Sequence, residues 1–148
     1  ENKMNRVKLF CLLLVVFTSF SSYAAERFVE TVADGDSYVT DTMTKLIWQK
    51  SYVTGKTWQQ ALSYCEALNY AGFNDWKLPN IHELRSLINY SKHSPATDFP
   101  GITSSNDEYY WSSASYANGT NNAWCIHFRL GGDGSSLKAN SYYVRCVR

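Results

Sequence analysis

Apolar and polar positions along this chain repeat with two different periods, and the changes of period mark out its elements. Phe28 to Val32 alternates and predicts a short edge strand. Tyr38-Val39-Thr40 and Leu46-Ile47-Trp48-Gln49 flank Asp41-Thr42-Met43-Thr44, whose short polar side chains favour a turn, so a β-hairpin is expected. The period then lengthens. Thr57 and Gln60 are spaced as a capping box, and Trp58, Ala61, Leu62, Cys65 and Leu68 fall on one helical face, turning Cys65 inward. Gly72 breaks this helix, and Pro79 biases Leu78 towards an extended conformation. Asn80 with Glu83 caps a second helix whose buried face is Ile81, Leu84, Leu87 and Ile88. Both helices are expected to run about three turns.

Periodicity fades from Tyr90 to Glu108, where Pro95, Pro100 and Gly101 punctuate a long loop. A loop of that length in a small domain is either functional or a cover for the core. Three strand signals follow: Tyr109 to Ser113; Ala123 to Arg129, where Trp124, Ile126 and Phe128 alternate with Cys125, His127 and Arg129; and Tyr142 to Val147. Gly131-Gly132-Asp133-Gly134 is expected to form a tight turn between the last two.

The first residues stand apart from this pattern. Arg6 and Lys8 precede an apolar run from Leu9 to Phe17, and Ser22-Tyr23-Ala24 places small residues where a signal peptidase requires them. Residues 1–24 therefore read as a secretory leader, with Glu1 to Lys3 as an upstream extension of the start methionine. The mature chain is expected to be 25–148, one domain, exported to the periplasm or the cell exterior. The apolar run is shorter than the roughly 18 residues of a membrane span, so no stable membrane insertion is expected after cleavage.

Charge narrows the choice of partner. Of 14 basic and 13 acidic residues, Lys3, Arg6, Lys8 and Glu1 lie in the leader, which leaves 11 and 12. A near-neutral chain lacks the clustered cations that nucleic acid demands. Aromatic residues are the outlier, with five Trp and eleven Tyr. Such side chains suit a ligand surface as well as a core, because each joins an apolar face to a polar tip.

Cys65, Cys125 and Cys146 remain after the leader, and export makes a disulfide the expectation. A Cys65–Cys146 bridge would close a loop of about 80 residues, worth about 3–4 kcal/mol in the chain-entropy model. It would tie the first helix to the terminal strand. A Cys125–Cys146 bridge would need adjacent strands in register; the first pairing is favoured and the second stays open. Cys125 and His127 share one strand face, but a rise of about 7 Å separates such neighbours, and no third group orients them, so a catalytic pair is not expected. His82, His93 and His127 show no zinc spacing, and Asp98, Asp107, Glu108 and Asp133 lack the calcium-loop pattern. No metal, cofactor or catalytic residue is predicted.

Thr57-Trp58-Gln59-Gln60-Ala61, Tyr64-Cys65, Asp75-Trp76-Lys77-Leu78-Pro79-Asn80, Glu83-Leu84, Tyr110-Trp111-Ser112-Ser113 and Val144-Arg145-Cys146-Val147-Arg148, in this order, resemble the Lcl C-terminal domain. The resemblance runs from about Asp34 to Arg148. It implies an α+β, C-type-lectin-like fold with two helices packed on a twisted antiparallel sheet, long loops, and a disulfide from the first helix to the last strand, the Cys65–Cys146 pairing. The family's namesake binds sulfated polysaccharides and forms trimers, but this chain has no collagen-like repeat and little net charge. The fold is carried over; a trimer is an expectation from the resemblance alone.

The chain is thus expected to be a non-catalytic adhesion module for a glycan or a cell-surface protein. Tyr109, Trp111, Tyr116 and Trp124 are the candidate ligand-binding aromatics, with Arg129 as a polar contact. The alternatives are a cysteine-dependent oxidase of the formylglycine-generating class, which the C-type-lectin-like fold also hosts, and a structural subunit of an envelope assembly.

Overall fold

The computed structural model describes residues 25–103 and 109–148. The expected leader and the loop acids Asp107 and Glu108 lie outside the described residues. The elements run β1 (Phe28–Ala33), β2 (Asp36–Asp41), β3 (Ile47–Gln49), β4 (Val53–Lys56), α1 (Trp58–Glu66), α2 (Ile81–Arg85), β5 (Tyr109–Ser115), β6 (Asn122–His127), β7 (Gly132–Leu137) and β8 (Tyr142–Val144). The architecture is α+β, built on two sheets rather than the single antiparallel sheet expected.

The first sheet is an antiparallel meander, β1-β2-β3, with β1 at its edge. Its β2–β3 turn forms where the Asp41-to-Thr44 segment predicts it. Asp41 Oδ1 accepts from the amide nitrogens of Met43 at 2.9 Å and Thr44 at 3.4 Å. The Asp41 side chain is fully buried, and Arg27 meets it with two nitrogens at 3.1 and 2.8 Å. Burial pushes this carboxyl up, but the hydrogen bonds from Arg27, Met43 and Thr44 and the Arg27 charge together hold it below its ordinary value.

The second sheet has the order β4-β8-β5-β6-β7. It is mixed, because β8 lies beside β5 in parallel, with Tyr110 opposite Tyr143. β7 occupies the segment that glycine content marks as a turn. Gly132 to Leu137 instead pairs antiparallel with His127 to Asn122 without interruption. An edge strand needs only backbone pairing, so a run of Gly and Ser can serve where no face must be buried. β4 gave no periodic signal, since Val53 to Lys56 is short and its pairing with β8 shifts register around Gly55.

Both helices start as the capping boxes dictate. Thr57 and Gln60 satisfy each other's backbone at α1, and Asn80 and Glu83 do so at α2. The second helix is shorter than the three turns expected, five residues in all. Beyond Arg85 the chain tightens, Leu87 and Ile88 donating to residues three positions back, Leu84 and Arg85. Leu87 and Ile88 are still buried, so the apolar face continues through turns.

Strand alternation places the two helices on opposite faces of the second sheet. Tyr110 and Ile126 join Trp48, Leu84, Leu87, Phe99 and Phe128 in one core. Their neighbours Trp111 and Cys125 join Ala61, Cys65, Trp76, Leu78 and Val144 in the other. The long loop belongs to the first core: Ala96, Phe99 and Ile102 are buried, and Ala96 N–H donates to the Phe128 carbonyl at 2.7 Å. Its described part is a cover.

The terminal segment unites these parts. Cys65 and Cys146 form a disulfide, with Cα atoms 5.6 Å apart, as the favoured pairing expects. Gln49 N–H donates to the Cys146 carbonyl, and Ile47 exchanges hydrogen bonds with Arg148, which extends β3 alongside the chain end. On its other side Val147 exchanges hydrogen bonds with Lys77 at 2.8 and 2.9 Å. Arg145 is 1 % exposed, and its guanidinium donates to the carbonyls of Gln49 at 2.8 Å, Lys50, and Gly101 at 3.0 Å. Phe99 lies 4.7 Å below it in cation–π contact. Burial lowers the pKa of Arg145, opposed by the neighbouring Tyr110, Tyr52 and Tyr70. Replacing Arg145 with Met leaves three inward-facing carbonyls without their donor, and is expected to cost about 3 kcal/mol in urea denaturation. Arg145→Lys should cost nearly as much, because an ammonium cannot fork onto three acceptors. A loss below about 1 kcal/mol in both variants would show that these bonds do not hold the fold.

Candidate functional site

A cleft of about 410 Å³ is lined by Gly35, Asp36, Ser37, Lys50, Ser51, Tyr52, Tyr70 and Gly101. Four separate chain segments meet there. The β1–β2 turn brings Gly35 to Ser37, the β3–β4 connection brings Lys50 to Tyr52, the helix–linker turn brings Tyr70, and the long loop brings Gly101. Each arrives for a local reason. Asp34 and Gly35 both hold positive φ, 51° and 82°, which closes a tight hairpin. Gly101, at φ 91°, passes so close to the Lys50 carbonyl that an added Cβ would sit 3.0 Å from it. No side chain fits at Gly101 without moving the wall.

Ser37, Ser51 and Tyr70 of the cleft are joined to Gln49 and Cys146 by one chain of hydrogen bonds. Cys146 N–H donates to Gln49 Oε1 at 3.3 Å, which fixes the amide orientation. Gln49 Nε2 therefore points to Ser51 Oγ at 3.1 Å and to Tyr64 Oη at 3.0 Å. Ser51 Oγ donates to Tyr70 Oη at 3.4 Å, and Tyr70 Oη donates to the Ser37 carbonyl at 2.5 Å. Asp36 Oδ2 accepts from Ala71 N–H at 3.3 Å. The Lys50 ammonium at the rim is paired with Glu30 at 2.5 Å.

Two aromatic rings flank these groups. Tyr52 is 36 % exposed and stacks on Tyr143, centroids 5.1 Å apart and planes 14° apart. Tyr70 is half-buried and meets Trp76 edge-on at 5.8 Å. A cleft with aromatic walls and a few fixed polar groups is the usual form of a small-ligand site. A second hollow, about 310 Å³, lies beside Glu26, Arg27, Phe28, Asp98 and Pro100. Two of its charged groups are already engaged, Arg27 with Asp41 and Asp98 with Lys92 and Asn89. The hydrogen bonds from Lys92 and Asn89 hold the Asp98 carboxyl below its ordinary value.

The five residues singled out by sequence are not brought together. Trp111 is fully buried in the core, and its indole N–H donates to the Lys56 carbonyl at 3.0 Å. Tyr109, 38 % exposed, lies on the α1 face of the sheet beside His127 and Tyr142, at 5.0 and 5.3 Å. Trp124 lies on the opposite face, edge to face with Tyr116 at 5.1 Å and under the Arg85 guanidinium at 5.8 Å. Arg129 is exposed in the β6–β7 turn, where its carbonyl accepts from Ser94 N–H. Strand alternation separates these positions: in the β5–β6 register Tyr109 and Trp111 lie opposite His127 and Cys125, which puts Trp124 on the other face.

Sequence reading overlooked Asp36, Ser51, Tyr52 and Tyr70. Each lies in or beside a turn, and no spacing rule links the four segments. The available signal was chemical: Tyr52 and Tyr70 are amphipathic rings in segments without an apolar stripe to absorb them.

Cys125 and His127 do occupy one face, as expected, opposite Trp111 and Tyr109 respectively. The thiol is buried and lies 3.5 Å from the Gly134 carbonyl. Burial, with the nearby Asp133 carboxylate, pushes it up to about 12. Among the described residues no three His, Cys, Asp or Glu side chains are grouped to hold a metal ion, and no helix is long and apolar enough to cross a membrane.

Fold and site together define a small α+β domain stapled by one disulfide, with a single free thiol among its described residues and a polar, aromatic-walled cleft. The chain belongs to the Lcl C-terminal domain family, whose model matches residues 37–148. Among curated proteins none matches it. The match begins inside β2, so β1 and its turn lie ahead of it.

A thiol so strongly protonated has a testable signature. In the chain from Ala25 onward, Cys125 should resist iodoacetamide at pH 8 in the native state and label once per chain in denaturant. Fast native labelling would place a thiolate where burial forbids one.

Proposed function

We propose that this chain is an exported, non-catalytic binding module of C-type-lectin-like build that recognises a glycan through the Tyr52–Tyr70 cleft. The observation that carries this reading is the cleft itself: about 410 Å³ of concave surface with rings on its walls and a preset hydrogen-bond chain at its base. Aromatic rings take the apolar face of a sugar, while fixed polar groups take its hydroxyls. The near balance of charge fits such a ligand, which needs no cationic patch.

The disulfide supports export, since bridges persist in oxidising compartments. It also weighs against the cysteine-oxidase alternative. That chemistry calls for a reactive thiol, whereas Cys65 and Cys146 are joined and Cys125 is held protonated. A surface-protein ligand is less favoured than a glycan because the aromatics outside the cleft are split between two faces of the sheet.

The test is a glycan array and titration calorimetry on the chain from Ala25 onward. Binding to at least one glycan is expected, and Tyr52→Ala should weaken it about ten-fold or more with little change in thermal midpoint. Failure to bind any glycan up to about 1 mM, a free energy near −4 kcal/mol, would remove the reading.

A further inference from the structure

We infer that the cleft selects an uncharged sugar that donates its hydroxyl protons to the protein, and that it rejects sulfated or carboxylated forms of the same sugar. This rests on the cleft being the glycan site and specifies what that site accepts.

The inference follows from where the protons must lie. Cys146 N–H can only donate, so Gln49 presents its oxygen to it and its NH₂ to Ser51 and Tyr64. Ser51 Oγ accepts from Gln49, and its one proton goes to Tyr70 Oη. Tyr70 in turn gives its proton to the Ser37 carbonyl, which can only accept. Backbone polarity thus propagates from the disulfide-bearing terminal segment to the cleft and orients both hydroxyls inward. What Ser51 and Tyr70 retain for a ligand is lone pairs.

Asp36 reinforces this polarity. Ionised, it has no proton to give, and one of its oxygens holds Ala71 N–H. The cations nearby do not reverse it. Lys50 is drawn onto Glu30, and Arg145 lies behind the wall with its N–H groups on the carbonyls of Gln49, Lys50 and Gly101. A sulfate or carboxylate seated here would set its own lone pairs against those of Asp36, Ser51 and Tyr70. Sugar hydroxyls can turn their protons onto such acceptors.

Titration calorimetry with neutral disaccharides (maltose, cellobiose, lactose) and their 6-O-sulfated counterparts tests the selectivity. At least one neutral disaccharide should bind about ten-fold or more tightly than its sulfated form, with affinity changing less than about two-fold between 50 and 500 mM NaCl. Asp36→Asn keeps the acceptor for Ala71 but removes the charge, and should weaken neutral binding about ten-fold or more. Tyr70→Phe provides a second variant that removes one lone-pair donor while keeping the ring, and should weaken it about three-fold or more. Circular-dichroism melts of both variants report folding independently. Sulfated sugars binding equally or more tightly, in a salt-sensitive and Tyr52-dependent way, would overturn the selectivity and leave the cleft as a glycan site. Binding of no sugar by a folded protein would overturn both.

Discussion

The structure depends on one buried cation held by backbone carbonyls. The Arg145 guanidinium is buried against Phe99 and holds the carbonyls of Gln49, Lys50 and Gly101. Two chain segments far apart in sequence, the end of β3 and the long loop, converge on that one group. Each carbonyl belongs to irregular backbone at the end of a strand or in a loop, where no ladder partner is available, so a side-chain donor must satisfy it. The planar fork of arginine can serve three acceptors at once. This arrangement sets the end of β3 and the turn of the long loop at fixed separation, and the cleft is the space left between them.

The neighbouring residues extend the same role. Cys146 is bonded to Cys65 on α1, its carbonyl accepts from Gln49, and its amide begins the chain of donors that reaches Tyr70. Val147 is paired with Lys77 of the linker, and Arg148 closes on Asp75, at 2.6 and 3.0 Å, over the Phe73 ring. The terminal segment after β8 is therefore a spine between the two sheets and the first helix. The disulfide restricts the unfolded chain, the guanidinium organises the irregular backbone, and the amide sets the polarity of the cleft. Stability and candidate function pass through the same few residues.

The scaffold was legible in the sequence to the extent that it uses short-range rules. Two capping boxes, the Asp41 turn and the inward cysteine of α1 are local patterns, and the structure follows them. The errors occurred where local pattern is weak. β7 has no apolar side chains to alternate, so its strand character comes from pairing with β6 and from nothing in its own composition. α2 ends at Arg85, and its last apolar residues, Leu87 and Ile88, are buried from the tightened turns that follow. Trp111 could not be recognised as core from its own segment, because both faces of a central strand are covered here. The cleft was hidden for a different reason. Asp36, Ser51, Tyr70 and Gly101 become neighbours only through the β1–β2 hairpin, the β3–β4 connection and Arg145, and each alone resembles ordinary turn chemistry.

That convergence gives binding a definite place on the molecule, away from the aromatics of β5 and β6. The most direct test is a ¹H–¹⁵N correlation titration of the chain from Ala25 onward with whichever neutral disaccharide it binds. The amides of residues 35–37, 50–52, 70–71 and 101 should show the largest shifts and saturate together. Shifts centred instead on Tyr109, Tyr116, Trp124 and Arg129, with the cleft amides unmoved, would contradict the account.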